Sequence, residues 1–270
     1  MKKSVSIWCF PGRMSLKEAM KQAKEAGFEG IELALNEQGE MALDWEPFQV
    51  KEIKLYADSI GIQISSFAIG LGWKYPLITR DEAMYKQAKD ILQRGLRFAG
   101  ILETDCVLSV PGTVNPDMPY DEAYERGVAA YQDCAKMGQE YGVTIGVENV
   151  WNKFLVSPLE AARFIDDIAH PYVQFFFDVG NVLLFGYPEQ WIRILGKRIR
   201  KVHIKDFDAG QRVFTTLLNG SVNYPAVTAA LKEVGYDGYL VAEVGPISPA
   251  FPQYLIEETS RAMDKILGRG

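Results

Sequence analysis

Four apolar runs in the second half of the chain each end on a residue that can ligate a metal ion. They read Val143-Thr-Ile-Gly-Val-Glu148, Val173-Gln-Phe-Phe-Phe-Asp178, Lys201-Val-His203 and Tyr239-Leu-Val-Ala-Glu243. A carboxylate at the polar end of a buried strand is costly unless something pairs with it. One such residue is an accident of a strand end. Three carboxylates and one imidazole in succession point to one shared partner, a divalent cation. The donor set suits Mn²⁺, Mg²⁺, Co²⁺ or Zn²⁺, and residue types alone do not choose among them. An ion flanked by two Glu residues suggests a reaction class. The ion can hold a carbonyl and the neighbouring hydroxyl, and so activate the C–H between them. A Glu on each side can then remove and return a proton. That is the chemistry of a ketose epimerase or an aldose–ketose isomerase, and it needs neither a nucleophilic Ser or Cys nor an organic cofactor.

Four ligands converge only if the elements carrying them do. The ligands are 30, 25 and 40 residues apart, each about the length of one strand–helix unit. Strand-like runs occur at 4–9, 30–34, 62–68, 106–110, 143–147, 173–177, 201–204 and 239–242. Helix-like stretches lie between them, over 15–26, 48–60, 81–99 and 121–141, from a start at 157–160, and over 188–195, 224–234 and 253–267. Ser15-Leu-Lys-Glu18 and Ser157-Pro-Leu-Glu160 read as capping boxes. Gly27, Gly61, Gly100, Gly142 and Gly235 read as helix stops. Eight strands alternating with eight helices favour a closed (β/α)₈ barrel over an open doubly wound sheet. Strand one runs into Trp8-Cys-Phe-Pro-Gly-Arg13, which is neither a dinucleotide fingerprint nor a phosphate loop. No linker or composition break appears, so residues 1–270 are expected to form a single (β/α)₈ catalytic domain.

The composition agrees with a compact enzyme acting on a small molecule. The 270 residues are 48% hydrophobic, enough for a sizeable core. The net charge of −6 and the lack of a basic patch argue against a nucleic-acid partner. No apolar stretch approaches the ~20 residues that span a bilayer, and Val5 to Phe10 reads as a first strand instead of a signal peptide. Cys9, Cys106 and Cys134 give no disulfide or zinc-knuckle spacing, which fits a reducing, cytoplasmic setting. A homo-oligomer is left open.

The chain resembles the xylose-isomerase-like barrel superfamily of sugar and sugar-phosphate isomerases and epimerases. The likeness covers nearly the whole length. It rests on Gly27-Phe-Glu-Gly-Ile-Glu32, Val147-Glu-Asn149, Asp178-Val-Gly-Asn181, Val202-His-Ile-Lys-Asp206 and Gly235-Tyr-Asp-Gly-Tyr-Leu-Val-Ala-Glu243. The likeness to its 3-epimerase branch implies that Glu148 and Glu243 both bind the metal and act as the acid/base pair, with Asp178 and His203 as ligands only. The segment His203-Ile-Lys-Asp206 is similar to ketopentose-phosphate 3-epimerases in particular. Asn181 and Asp208-Ala-Gly210 depart from the His and Arg that other sugar 3-epimerases carry there, which weighs against an unphosphorylated ketohexose.

Further substrate contacts are expected from Trp8, Glu32, Asn149, Asn152, Lys153, Asn181 and Lys205. Trp8 would offer an aromatic wall to a sugar ring, and Asn149-Val-Trp-Asn-Lys153 a loop of amides and an amine at the catalytic face. Lys205 follows His203 by two and so shares its face. Gly70-Leu-Gly-Trp-Lys-Tyr-Pro76 is a candidate lid, and Phe175-Phe-Phe177 reads as core. His170 falls in a helix-to-strand turn, at the opposite end from the chemistry. Three other readings compete. A polyol-ketone dehydratase would share the proton abstraction and then expel a hydroxyl. A non-catalytic sugar-binding barrel would keep the fold. A DNA-repair endonuclease would need more histidines and basic loops than this chain has.

Overall fold

The computed structural model describes residues 1–245 and 250–269. Eight parallel strands close into a barrel. They are β1 (Lys2–Ser6), β2 (Gly30–Ala34), β3 (Gln63–Ile69), β4 (Cys106–Ser109), β5 (Thr144–Glu148), β6 (Val173–Asp178), β7 (Ile199–Ile204) and, after a short hairpin of β8 (Asp206–Asp208) and β9 (Val213–Thr215), β10 (Tyr239–Ala242). The closed order is β1-β10-β7-β6-β5-β4-β3-β2, so each barrel strand pairs with its neighbours in sequence and β10 closes on β1. The expected (β/α)₈ barrel is therefore the fold observed.

Helices cover the outside: α1 (Leu16–Glu25), α2 (Pro47–Ile60), α3 (Glu82–Ile101), α4 (Tyr120–Tyr141), α5 (Pro158–Ile168), the single turn α6 (Val179–Val182), α7 (Pro188–Leu195), α8 (Tyr224–Glu233) and α9 (Pro252–Leu267). Their ends follow from local chemistry. Ser15 and Ser157 accept hydrogen bonds from the N–H groups of Glu18 and Glu160 at 3.3 and 3.2 Å, satisfying donors that a first turn leaves free. Gly61 and Gly142 end α2 and α4 in the left-handed region. Gly100 does not stop α3, which continues through it to Ile101. A helical position there needs no positive φ, so glycine alone is not a terminator.

Strand periodicity sorts the core into two compartments. Phe175 and Phe177 point outward, where Phe177 stacks on Trp191 of α7. Phe176 points into the barrel with Ala34, Ala68, Cys106, Leu108, Val110 and Val150. α3 lies close on β3 because of Gly95, where a Cβ would stand 2.3 Å from the Ile69 side chain. Strand β1 stops earlier than its apolar run suggests. Ile7–Cys9 form a 3₁₀ turn, whose first free N–H groups meet Ser6: its Oγ accepts from Trp8 N–H. Trp8 thus sits on a turn at the mouth, not on a strand.

Candidate metal centre and the mouth of the barrel

The four ligands expected from sequence come together at the carboxyl ends of the strands. Glu148 and Asp178 are the last residues of β5 and β6, His203 is the next-to-last of β7, and Glu243 directly follows β10. Register aligns them: Asp178 pairs with His203, His203 pairs with Val241, and the Glu243 N–H donates to the Ile204 carbonyl at 2.9 Å. One ligand atom from each of the four residues lies within 4.8 Å of the others. His203 Nδ1 stands 3.2 Å from Glu148 Oε1, 3.5 Å from Glu243 Oε2 and 3.9 Å from Asp178 Oδ2. All but Glu243 are buried, and Glu243 is partly exposed toward the mouth.

The electrostatics are those of a site with too much negative charge. Burial pushes the Glu148 carboxyl up, and His203 only partly offsets it. Burial likewise raises Asp178. Burial would also raise Glu243, but the ammonium of Lys205 and the ring of His203 outweigh it and hold that carboxyl low. Burial works against a charged His203, yet Glu32, Glu148 and Glu243 around it raise its pKa. The Lys205 ammonium lies 2.5 Å from Glu243 Oε2 and 3.1 Å from Asp178 Oδ2. Even so, Asp178 Oδ2 is a buried oxygen without a hydrogen bond. A buried carboxylate oxygen met only by the Lys205 ammonium, two further carboxylates and one imidazole nitrogen within 4.8 Å of one another fit a divalent cation.

The residues around this cluster divide into two groups. Asn149, Asn152 and Asn181 are buried and committed to backbone. Asn149 donates to the Asp178 carbonyl at 2.9 Å and accepts from the Asp178 N–H at 2.8 Å. Asn181 donates to the Asn149 carbonyl, and its own N–H donates to the capping Asp178 Oδ1 at 2.7 Å. Asn152 donates to the Gly112 carbonyl and accepts from Phe154 N–H. Their side chains hold the loop and orient Asp178. Glu32 is fully buried with its oxygens on His203 Nε2 and the Ser66 hydroxyl, away from any open surface. Lys153 is exposed, with a left-handed φ of 60°.

Trp8 and Lys205 do reach open space. They line a cleft of about 450 Å³ together with Phe214, Thr215, Thr216, Glu243, Val244 and Gly245. Lys205 lies close over α6 because of Gly180, where a Cβ would be 2.5 Å from the Lys205 stem. The other wall is the β8–β9 hairpin. Phe214 stacks on Trp151 at 4.8 Å between centroids, and Phe207 packs edge-on against both. This wall does not stand out in the strand pattern, since each hairpin strand has three residues. The signal available was the pair Asp206-Phe-Asp208 and Val213-Phe-Thr215, alternating on either side of a Gly-containing turn. The Gly70–Trp73 segment is a 3₁₀ turn beside the mouth, and Trp73 is exposed.

A family profile described as Xylose isomerase-like TIM barrel matches residues 20–266. Among curated proteins, an L-ribulose-5-phosphate 3-epimerase of Shigella flexneri serotype 5b (strain 8401) is 25% identical over 232 residues, covering 83% of this chain and 80% of that protein. Among solved structures, D-psicose 3-epimerase with D-tagatose from Clostridium cellulolyticum H10 superposes with a TM-score of 0.83 at 17% identity, covering 99% of both chains. The IOLI protein solved with a zinc atom superposes with a TM-score of 0.82 at 16% identity, covering 100% of this chain and 99% of that one. At these identities the structural likenesses establish the fold.

Proposed function

Since the chain belongs to the xylose isomerase-like TIM-barrel family, we propose that it is a divalent-metal-dependent epimerase of a ketose or ketose phosphate. The observation that carries this reading is the convergence of Glu148, Asp178, His203 and Glu243 within 4.8 Å at the carboxyl end of the barrel. The activities of similar proteins, epimerases of L-ribulose 5-phosphate and D-psicose, support the same class. These four residues would hold the ion. The chemistry the ion supplies is polarisation of a ketose carbonyl and its neighbouring hydroxyl, which acidifies the C–H between them.

The chain's own residues account for the remainder. Glu148 and Glu243 come from strands separated by β6 and β7 in the barrel order, so they approach the centre from two sides. One Glu, ionised, takes the proton from the carbon beside the carbonyl, and the other, starting protonated, gives its own proton to the opposite face, inverting that carbon and exchanging the two protonation states. Trp8 and Phe214 offer apolar faces to the C–H side of a sugar. Lys205, Thr215 and Thr216 supply donors for hydroxyls or for a phosphate at the outer end of the cleft. Asn149 and Asn181 keep Asp178 in the orientation its ligand role requires.

The test is proton exchange. The metal-loaded protein, incubated in D₂O with a panel of ketoses and ketose 5-phosphates, should place deuterium on the carbon next to the carbonyl of at least one member and convert it to its epimer. A chelator should stop the exchange and Mn²⁺ restore it. A metal-loaded protein that labels no member of the panel would sink the reading.

A further inference from the structure

Glu32 is a fully buried carboxylate that the proposed reaction does not use. It sits in the middle of β2, three strands from β7 around the barrel, and it is 0% exposed. Its side chain crosses the interior to His203 Nε2, at 2.9 Å from Oε1 and 3.1 Å from Oε2. The Ser66 hydroxyl donates to Oε2 at 2.8 Å. The β2–β3 pairing carries a register shift here: Ile31 faces Ile64 but Glu32 faces Ser66, leaving Ser65 as the extra residue. Bulges of this kind re-aim side chains. In this one Ser65 reaches Ser4 and Ser66 reaches Glu32, so two successive hydroxyls serve the interior. A carboxylate held this far from water is expensive in the absence of a partner that needs it.

We propose that Glu32 is a positioning residue that fixes His203 for metal binding: by accepting the Nε2 proton it leaves Nδ1 as the free ligand nitrogen, aimed at Glu148, Asp178 and Glu243. The two ring nitrogens of a histidine are not equivalent, and the group on one decides the state of the other. The geometry matches, because the nitrogen facing the carboxylate cluster is Nδ1 and the nitrogen facing Glu32 is Nε2. Phe176 packs edge-on against the ring at 4.6 Å, which limits rotation, so the hydrogen bond determines the tautomer as well as the angle. Carboxylates behind metal-bound histidines act in this way, and losing one typically weakens a site by about 10–100-fold. The role rests on the metal reading of the four-residue cluster.

The test is metal binding to the purified chain, followed by calorimetry with Mn²⁺ and Zn²⁺, with His203 observed by ¹⁵N NMR in the zinc-loaded protein. Glu32→Gln keeps the shape, but its amide can donate to Nε2 and favour the wrong tautomer. The expected result is a 10–100-fold weaker site and a changed His203 ring-nitrogen pattern, with the thermal melt of the metal-free protein still cooperative. Ser66→Ala, a milder loosening, should shift affinity in the same direction by less. It also carries the test if Glu32→Gln does not fold. In a His203→Ala background Glu32→Gln should have no further effect on the residual affinity. Wild-type protein that binds no metal would overturn the metal reading itself. Wild type that binds, with Glu32→Gln or Ser66→Ala binding equally well and an unaltered ring pattern, would overturn only the role of Glu32.

Discussion

The two ends of the barrel handle buried charge in opposite ways. At the amino end each buried lysine is paired with a carboxylate at hydrogen-bonding distance. Lys3 Nζ bonds Asp264 at 2.7 Å and the Ser260 hydroxyl at 2.9 Å, which ties the first strand to the last helix. Lys201 Nζ bonds Asp105 Oδ1 across the floor of the barrel at 2.7 Å, and Arg200 takes the other oxygen. At the carboxyl end Glu32, Glu148, Asp178 and Glu243 share only His203 and Lys205. At the amino end the cations are matched or outnumber their carboxylates, and the pairs tie distant parts of the chain together. The carboxyl end is left short of positive charge, as the proposed cation site would require. Fixed binding geometry paired with local strain is the usual mark of a functional site, and a fully satisfied cluster the mark of a structural one.

This contrast can be broken by mutation. The largest effect is expected at the carboxyl end: Glu243→Gln should lower turnover by about 10²–10⁴-fold, since it removes a proton carrier as well as a ligand. Steady-state assays on whichever ketose exchanges deuterium would check it, and substantial residual turnover would remove Glu243 from the acid/base pair. His203→Ala should cost metal affinity first, so activity should return in part at excess Mn²⁺.

At the amino end Lys3→Met should leave turnover per folded molecule unchanged and cost about 2 kcal/mol of stability in urea unfolding, with no rescue by metal. The sign reverses at the other end. Asp178→Asn should abolish metal binding while leaving the metal-free protein as stable as before or stabilised by about 1 kcal/mol, because a crowded buried charge is removed. Equal losses of stability from both substitutions would mean that the two ends are not different in kind.

The smallest effect concerns the outer surface, where ion pairs are exposed and worth little. Arg80 and Arg126 hold the Glu122 carboxyl down at about 2, below its ordinary 4.5. A depressed carboxyl contributes stability above its unfolded pKa and loses it as the pH falls through the folded value. The Glu122 contribution should therefore fade between about pH 5 and pH 2. Arg80→Ala should make the acid limb of the stability curve slightly shallower across that window, and the difference should vanish in high salt. Chemical denaturation at stepped pH would measure both.

Much of the site was legible in the chain before folding, for a simple reason. A charged residue closing an apolar run is anomalous by its neighbours alone, so Glu148, Asp178, His203 and Glu243 announced themselves, and alternation of strands and helices put them on one face. The Asn residues were harder. Asn149, Asn152 and Asn181 look alike in sequence whether they meet a sugar or a peptide group, and the structure gives their amides to backbone. A hydrogen-bond partner is set by distances in space, which composition and spacing do not contain. The β8–β9 hairpin is not legible in the sequence pattern because three residues per strand are too few to display a period.

The sequence by itself determined the barrel, the order of its strands and the four residues that converge, since these follow from periodicity, caps and chemically costly residue types. Only the tertiary structure decided what Glu32 and Lys205 touch. Lys205 bends over α6 to two acidic groups, and Glu32 reaches His203 from three strands away with the help of a bulge in β3. Those contacts depend on closure of the barrel, which brings together side chains that local sequence keeps 171 residues apart.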